Sequence, residues 1–318
     1  MAGNNIKVLD CTIRDGGLMN NHKFDLKFVR AVYKALSEAN IDYMEIGYKN
    51  SRKLFSASEF GPWKFCADED ILKVIKGVRS KTKIAVMVDV DRVEPAEVKP
   101  KKESPVSMIR VATYIKDIEK AVLLCNQMAD KGYETAVNIM AVSKAPAEEL
   151  SKILSLLDNK SKADVIFISD SNGSLYHETV AALFKKAKKY IISKETGIHA
   201  HNNLQLAFSN TIEAIQQGAS YLDCSIYGLG RAAGNCPTEL LLGFLKNPKY
   251  DIRPVLDVIA KEFIPLRKKL EWGYIIPYAI AGILDEHPKA AMALRDSAQK
   301  DNFREFYESL TTTKKKKV

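Results

Sequence analysis

Two histidines and one aspartate in this sequence are suited to hold a divalent metal ion together. His199 and His201 lie two residues apart in GIHAHNN, so on a strand both side chains point to the same side. Asp15 and its neighbour Arg14 lie in DCTIRDGG. One carboxylate and two imidazoles suit Mn²⁺, Co²⁺, Zn²⁺ or Fe²⁺, and more weakly Mg²⁺. Taken separately, the histidines are also typical of a polar strand end, and Arg14 with Asp15 of a surface ion pair.

These side chains can meet only if several strands end at one place. Short β-branched runs alternate with helix-like stretches eight times. The strand-like runs are IKVLDCTI, YMEIGY, KIAVMVDV, SMIRVATY, ETAVNIMAVS, ADVIFISDS, TGIHAHN and YLDCSIYGLG. Eight such units in about 250 residues predict an α/β fold, a closed (β/α)8 TIM barrel with its chemistry at the strand C-terminal ends. An open doubly wound sheet also fits the rhythm, but polar residues end too many strands for a single crevice.

The alternation stops near residue 247 of the 318. We therefore predict a barrel domain over residues 1–247. The aromatic, helix-like residues 248–312 are predicted to form a C-terminal helical extension packed on the barrel. Residues 313–318 end in KKKKV, have no apolar pattern and are predicted to be a disordered basic tail.

Composition limits the partners and the cellular location that we expect for the protein. Four lysines of the tail contribute to the formal charge of +9, and no basic stretch is interleaved with aromatic residues, so we expect no nucleic-acid partner. The five cysteines form no C-x-x-C pair, which argues against a disulfide framework and a structural zinc site. No apolar run approaches the ~18 residues of a membrane span, and no export signal is recognised. We expect a cytoplasmic protein without a membrane partner.

Three motifs follow one another along the chain: TIRDGG, HAHNN and GLGRAAGNCPTE. Together they resemble the metal-dependent, HMG-CoA lyase-like superfamily of aldolases, lyases and condensing enzymes. IRVATY and DSNG resemble the 4-hydroxy-2-oxovalerate aldolase branch in particular. The resemblance implies a divalent ion, Mn²⁺ before Mg²⁺, Co²⁺ or Zn²⁺, on Asp15, His199 and His201. Asn235 would complete the ligand set, although capping the following helix is its other interpretation. Arg14 would stabilise an enolate.

The sequence departs from the aldolases where a base is needed. In that branch a histidine lies three residues after the metal-binding aspartate, whereas this chain has Leu18. His22, Tyr48 and Tyr114 are the candidate catalytic groups that could take the proton from a substrate hydroxyl. An ordinary loop residue is the other interpretation of His22.

Four further residues are predicted to contact the substrate or support the site: Glu45, Arg110, Asp170 and Tyr274. Glu45 and Asp170 end the second and sixth strands, where they could orient Arg14 or a metal-bound water. Pairing of either carboxylate with Arg110 for structure alone is the alternative. Tyr274 lies on a helix that could cover the site, and plain packing is its other interpretation.

The predicted function is that of a divalent-metal-dependent lyase or aldolase. It would make or break a carbon–carbon bond of a 4-hydroxy-2-oxo acid through a metal-bound pyruvate enolate. Two alternatives stay open: Claisen-type condensation of an acyl-CoA, as in 2-isopropylmalate synthase, and ligand binding without turnover. Ser169 stands where carboxyltransferases of the superfamily carry a modified lysine, which argues against carboxyl transfer. The expected partners are a small 2-oxo acid, further copies in a homo-oligomer and, as an option, a dehydrogenase.

Overall fold

Eight parallel strands close into a barrel in the computed structural model, which describes residues 5–315. The strands are β1 (Lys7–Asp10), β2 (Tyr43–Tyr48), β3 (Lys83–Asp89), β4 (Val106–Thr113), β5 (Glu134–Ile139), β6 (Val165–Asp170), β7 (Glu195–Ala200) and β8 (Tyr221–Cys224). β8 pairs with β1, with Leu9 opposite Asp223, and this pairing closes the sheet. The predicted (β/α)8 barrel is confirmed, because an open sheet would leave two unpaired edges.

Helices follow the strands, and the longer ones bury one face against the sheet. Those of the barrel are α1 (Thr12–Gly16), α2 (Leu26–Glu38), α3 (Asp68–Ile75), α4 (Ile118–Asp130), α5 (Ala147–Lys160), α6 (His177–Tyr190), α7 (Ala207–Gln216) and α8 (Thr238–Leu245). In α2, the Asp25 carboxylate caps the first turn by accepting from the Phe28 N–H at 2.7 Å. Phe28, Val32 and Leu36 recur at helical spacing and are buried against the sheet.

The barrel interior has an apolar layer below a charged one. The lower layer packs inward-facing residues of six strands: Leu9, Tyr43, Ala85, Met108, Ala136, Val165 and Phe167. Above it lie the acidic and basic side chains of Glu45, Arg110 and Asp223, none more than 1% exposed. The Arg110 guanidinium lies 4.1 Å from the centre of the Phe167 ring, which joins the two layers.

Within the described residues, five further α-helices follow the barrel: α9 (Arg253–Val258), α10 (Ile264–Arg267), α11 (Ile276–Ile283), α12 (Lys289–Arg295) and α13 (Phe303–Lys315). The extension packs on the loops that leave β7 and β8. Tyr278 and Ala281 of α11 share an apolar cluster with Ala232 in the loop after β8. A Cβ on Gly282 would come within 3.0 Å of the Asn203 Cβ, so this glycine lets α11 approach the loop after β7.

The chain ends and the cysteines add three observations. α13 runs to Lys315, past the predicted start of the tail, and residues 1–4 and 316–318 lie outside the described residues. None of the described helices is both long and apolar enough to cross a bilayer. All five cysteines are buried thiols.

Asp10 gives the fold a pH dependence that substitution can remove. Its carboxylate accepts from the Thr12 N–H at 3.0 Å and the Thr238 hydroxyl at 2.9 Å, and burial raises its pKa to about 6. Because an unfolded aspartate has a pKa near about 3.9, the folded state holds this proton more tightly and loses stability as pH rises from about 4 to 6. Asn keeps both hydrogen bonds without the buried charge. We expect Asp10→Asn to stabilise the protein by about 2 kcal/mol at pH 7 and by much less near pH 4.

Thermal unfolding midpoints at the two pH values check this expectation. Asp257→Asn, on the exposed face of α9, is the matched control and should give no pH-dependent difference from the wild type. A difference between Asp10→Asn and wild type that stays constant with pH would contradict the assignment.

Candidate metal centre

The ends of β1, β7 and β8 bring the four predicted ligands together. Asp15 lies on α1 directly after β1, His199 on β7, His201 just beyond it, and Asn235 in the loop after β8. One ligand atom from each of Asp15, His199 and His201 lies within 4.8 Å of the others. The Nε2 atoms of the two histidines are 3.4 Å apart, and the backbone of His201 bridges to that of Asn235. All four side chains are buried.

Hydrogen bonds turn the same nitrogen of both imidazoles toward this cluster. The Nδ1 atom of His199 lies 2.9 Å from Asp223 Oδ2, and that of His201 lies 3.2 Å from the Gly234 carbonyl. A neutral imidazole that donates from Nδ1 has a lone pair on Nε2. Burial lowers the pKa of His201 well below its usual range, so its ring is neutral. An imidazole held by a carboxylate or carbonyl in this way is the usual arrangement of a metal-binding histidine.

Asp15 is ionised and Asn235 has an oxygen to spare. Burial acts to raise the pKa of Asp15, but the positively charged guanidinium groups of Arg14 and Arg231 outweigh it and hold that pKa well below its usual range. Asp15 Oδ2 accepts from Asn235 Nδ2 at 2.8 Å and from the Arg231 backbone N–H at 3.0 Å. The buried Oδ1 of Asn235 has no hydrogen-bond partner among the described residues. A buried amide oxygen without a donor is costly unless something else binds it.

These donors fit a borderline divalent ion. They offer two imidazole nitrogens, one carboxylate and one amide oxygen, the mixture that Mn²⁺, Co²⁺ and Zn²⁺ accept. A second cluster of potential ligands, Cys11 with His199 and Asp223, fits less well. Burial raises the pKa of Cys11 well above its usual range, so the thiol keeps its proton, and Asp223 is already paired with Arg110.

A continuous chain of buried ion pairs supports the cluster from below. It joins five side chains of alternating charge and ends on an imidazole, in this order: Asp15, Arg14, Glu45, Arg110, Asp223 and His199. Arg14 contacts Asp15 Oδ1 and Glu45 Oε2 at 2.6 Å each. Arg110 lies 3.0 Å from the same Glu45 oxygen and donates to Asp223 Oδ2 at 2.7 Å. Glu45 and Arg110 therefore hold other residues of the site in place and do not line its cavity.

Comparison with known proteins identifies the family. The HMGL-like family model matches residues 5–260. The chain belongs to the HMGL-like family. It is 30% identical over 300 residues to a 4-hydroxy-2-oxovalerate aldolase of Thermomicrobium roseum, covering 91% of this chain and 83% of that one. It is 31% identical over 242 residues to the enzyme of the same name from Geobacillus thermodenitrificans, covering 76% and 69% of the two chains.

A solved structure agrees with this assignment. The N-terminal domain of a proposed aldolase from Bacteroides vulgatus is 32% identical and superposes with a TM-score of 0.78. The match covers 92% of this chain and 97% of that domain. The family resemblance predicted from the three motifs is confirmed.

The cavity of this HMGL-like barrel opens directly above the ligand cluster. Its lining comprises Arg14, Asp15, Leu18, Tyr48, Met87, Ala112, Asn138, Met140, Ser169, Ser171, His199, His201 and Arg231. Residues from most of the strand ends take part, as expected for the C-terminal face of a TIM barrel. Leu18, at the family's histidine position, contributes an apolar side chain to the wall.

The three candidate bases occupy different places. Tyr48 lines the cavity, and burial raises its pKa above the usual range, so its hydroxyl keeps its proton at neutral pH. His22 packs edge-on behind the Tyr48 ring, 5.4 Å between centroids, and under Gly17. Burial, with help from the nearby Lys64, lowers the pKa of His22 to about 3. Tyr114 is 45% exposed and does not line the cavity.

Two more predicted site residues also lie outside the cavity lining. Asp170 folds back on the loop after β6 and accepts from the N–H groups of Ser174 and Leu175 at 3.0 and 3.1 Å. Burial raises its pKa to about 6. Tyr274 is 56% exposed and lines a separate groove with Arg295. The prediction that Tyr274 lies on a helix is wrong, because α11 begins at Ile276.

Sequence reasoning missed two residues of the site. Asp223 lies two positions after Tyr221 on β8, so strand periodicity alone places it inside the barrel with that residue. Arg231 lies within the GLGRAAGN motif, but the sequence indicates neither its contact with His201 nor its place on the cavity wall.

Metal titration of chelator-treated protein tests the ligand assignment. We expect His201→Ala or Asp15→Ala to weaken Mn²⁺ binding by about 100-fold or more. Asp223→Asn leaves every ligand in place but replaces the carboxylate that accepts from His199 with a neutral amide, so about a 10-fold loss is expected. His177→Ala, on the surface, is the matched control. Wild-type Mn²⁺ affinity in His201→Ala, measured by electron paramagnetic resonance, would contradict the site.

Proposed function

We propose that this protein is a divalent-metal-dependent aldolase, a carbon–carbon lyase that acts on 4-hydroxy-2-oxo acids through the enolate of pyruvate. The observation that carries the proposal is the position of Arg14, whose guanidinium lies against the predicted ligand Asp15 on the cavity wall. The 4-hydroxy-2-oxovalerate aldolases that resemble the chain over most of its length support the same reaction class.

A metal ion on the predicted ligands and the guanidinium of Arg14 would both stabilise the enolate. A divalent ion bound by Asp15, His199 and His201, with Asn235, would polarise the keto group of a 2-oxo acid. Although burial opposes it, the carboxylates of Glu45 and Asp15 hold the pKa of Arg14 well above its usual range.

The guanidinium of Arg14 also has a donor left for the substrate. Glu45 and Asp15 engage its Nε and Nη1 atoms, whereas the buried Nη2 has no hydrogen-bond partner among the described residues. We assign Nη2 to the negative charge that develops on the keto oxygen.

Tyr48 is the candidate that contacts the 4-hydroxyl group. It lines the same cavity as Arg14, whereas His22 and Tyr114 do not. Because burial keeps the Tyr48 hydroxyl protonated, it orients the substrate hydroxyl and does not remove its proton. Leu18 cannot accept a proton, so the proton leaves through water in the cavity.

The choice of metal and substrate is supported by the chemistry of the donor set and by the related aldolases. The mixed nitrogen and oxygen donor set supports Mn²⁺ ahead of Mg²⁺, with Co²⁺ and Zn²⁺ as alternatives. A small 2-oxo acid as substrate follows from the reaction class. The homo-oligomer, the partner dehydrogenase and the cytoplasmic location stay predictions.

Exchange of pyruvate methyl protons in D₂O tests the proposed enolisation. We expect the Mn²⁺-loaded protein to catalyse the exchange, seen as loss of the methyl signal by NMR. Arg14→Gln should slow it by about 10²- to 10³-fold, because a preorganised donor to the enolate is lost. Asp15→Ala should abolish it, and His177→Ala should leave it unchanged.

The same assay separates the alternatives. Exchange followed by condensation with acetyl-CoA, but not with acetaldehyde, would favour the Claisen-type enzyme. Absence of exchange with pyruvate and with other 2-oxo acids would overturn the aldolase proposal. Ligand binding without turnover would then be the function that remains.

Restoring a base tests the assignment of Leu18 and Tyr48. We expect Leu18→His to speed cleavage of 4-hydroxy-2-oxovalerate by about 10²-fold, because an imidazole then reaches the cavity, while pyruvate exchange changes little. Leu18→Asn, similar in size but unable to take a proton, is the control. Tyr48→Phe should slow cleavage more than exchange. Equal rates of cleavage in Leu18→His and Leu18→Asn, by coupled aldehyde detection, would contradict the interpretation.

A further inference from the structure

Arg231 presents an unmatched guanidinium to the cavity. Its Nη2 donates to the Ser171 carbonyl at 2.5 Å and lies 3.4 Å from His201 Nε2. Its Nε is buried and has no hydrogen-bond partner among the described residues. The other two arginines of the site, Arg14 and Arg110, are each paired with two buried carboxylates. Arg231 differs from them, because no carboxylate of the described residues lies within ion-pair distance of its guanidinium.

The neighbour of Arg231 is a second donor. Its Nη1 lies 3.1 Å from His287 Nε2, while His287 Nδ1 accepts from the Lys289 N–H at 3.1 Å. A neutral imidazole has one proton, so it can accept at only one of these two nitrogens. With Nδ1 accepting, Nε2–H and the guanidinium face each other as two donors. Burial lowers the pKa of His287 to about 4, so a neutral ring is the form at neutral pH. Arg231 and His287 therefore have no acceptor between them among the described residues.

The helical extension fixes His287 in this position. Asp285, two residues earlier, is tied by its carboxylate to four side chains of the loops after β5 and β6: Ser143, Lys144, Asn172 and Ser174. These contacts, between 2.7 and 3.1 Å, use both carboxylate oxygens. Asp285 is therefore an anchor for the loop, and its charge is already engaged by Lys144.

The charges of the site leave room for a second anion. Three carboxylates and three guanidinium groups line the cavity or the chain of ion pairs beneath it: Asp15, Glu45, Asp223, Arg14, Arg110 and Arg231. These charges balance, so a divalent ion leaves the site with two positive charges. A 2-oxo acid with one carboxylate neutralises only one of them, whereas a dicarboxylic 2-oxo acid neutralises both.

We propose that Arg231 and His287 form a carboxylate subsite, so that the protein acts on 4-hydroxy-2-oxo acids that carry a second carboxylate at the far end. This inference rests on the proposed aldolase function and names its substrate class. The Arg231 guanidinium and the His287 N–H supply the donors for one carboxylate. The loop held by Asp285 positions the His287 imidazole. The far carboxylate binds here while the 2-oxo acid end faces Arg14 and the predicted ligands.

Two acids that differ only at the far end test the subsite. 2-Oxoglutarate and 2-oxopentanoate share a five-carbon chain and a 2-oxo acid group, and only the first has a second carboxylate. Calorimetry with the Mn²⁺-loaded protein should show 2-oxoglutarate binding tighter by about tenfold or more. Arg231→Gln should remove this preference while the affinity for 2-oxopentanoate stays the same. His287→Gln should reduce the preference by a smaller factor.

Lys289→Gln is the control, because Lys289 contacts His287 only through its backbone N–H. Equal affinity of the wild type for the two acids overturns the proposal, as does failure of both to bind. Equal weakening of both acids in Arg231→Gln also overturns it, because Arg231 would then serve the 2-oxo acid end. Loss of the preference for 2-oxoglutarate in Lys289→Gln would also overturn it, because general positive charge at the surface would then explain the preference. Pyruvate exchange is measured separately, so failure of the aldolase proposal is distinguishable from failure of the subsite.

Discussion

The buried chain of ion pairs from Asp15 to His199 is the interaction on which the rest of the site depends. Desolvating six ionisable groups is expensive, and the cost is offset only when each charge meets its partner at short distance. Arg110 shows this most clearly, because it is fully buried and contacts Glu45, Asp223 and the face of Phe167. This series of ion pairs connects side chains of β2, β4, β7, β8 and the helix after β1. A closed barrel is needed to bring those elements within reach of one another.

The same chain determines what each group can do chemically. Glu45 and Asp15 engage two nitrogens of Arg14, whereas its third, the buried Nη2, has no hydrogen-bond partner among the described residues. Asp223 holds the Nδ1 side of His199, which leaves the Nε2 lone pair facing His201. Positioning and electronic tuning thus come from the same contacts. Where that support ends, on the outer cavity wall, Arg231 has no carboxylate partner among its described contacts.

Much of this was predictable from local patterns. Alternation of β-branched runs with amphipathic stretches predicted eight units, and the family motifs predicted the four residues that meet at the metal centre. Other predictions needed three-dimensional information. Tyr48, His22 and Tyr114 are equivalent candidates in the sequence, yet only Tyr48 lines the cavity. A backbone with positive φ at His22 places its ring behind Tyr48, and no sequence period encodes such a turn.

The sequence by itself determined which side of a strand each residue faces, because side-chain direction alternates with a period of two whatever the rest of the chain does. It therefore determined that His199 and His201 share a side, and that the strand ends carry polar groups. Only the tertiary structure decided which charges pair. Arg110 and Asp223 are 113 residues apart, and Arg231 and His287 are 56 apart. Those contacts depend on closure of the barrel and on the docking of the extension, which local residue preferences do not encode.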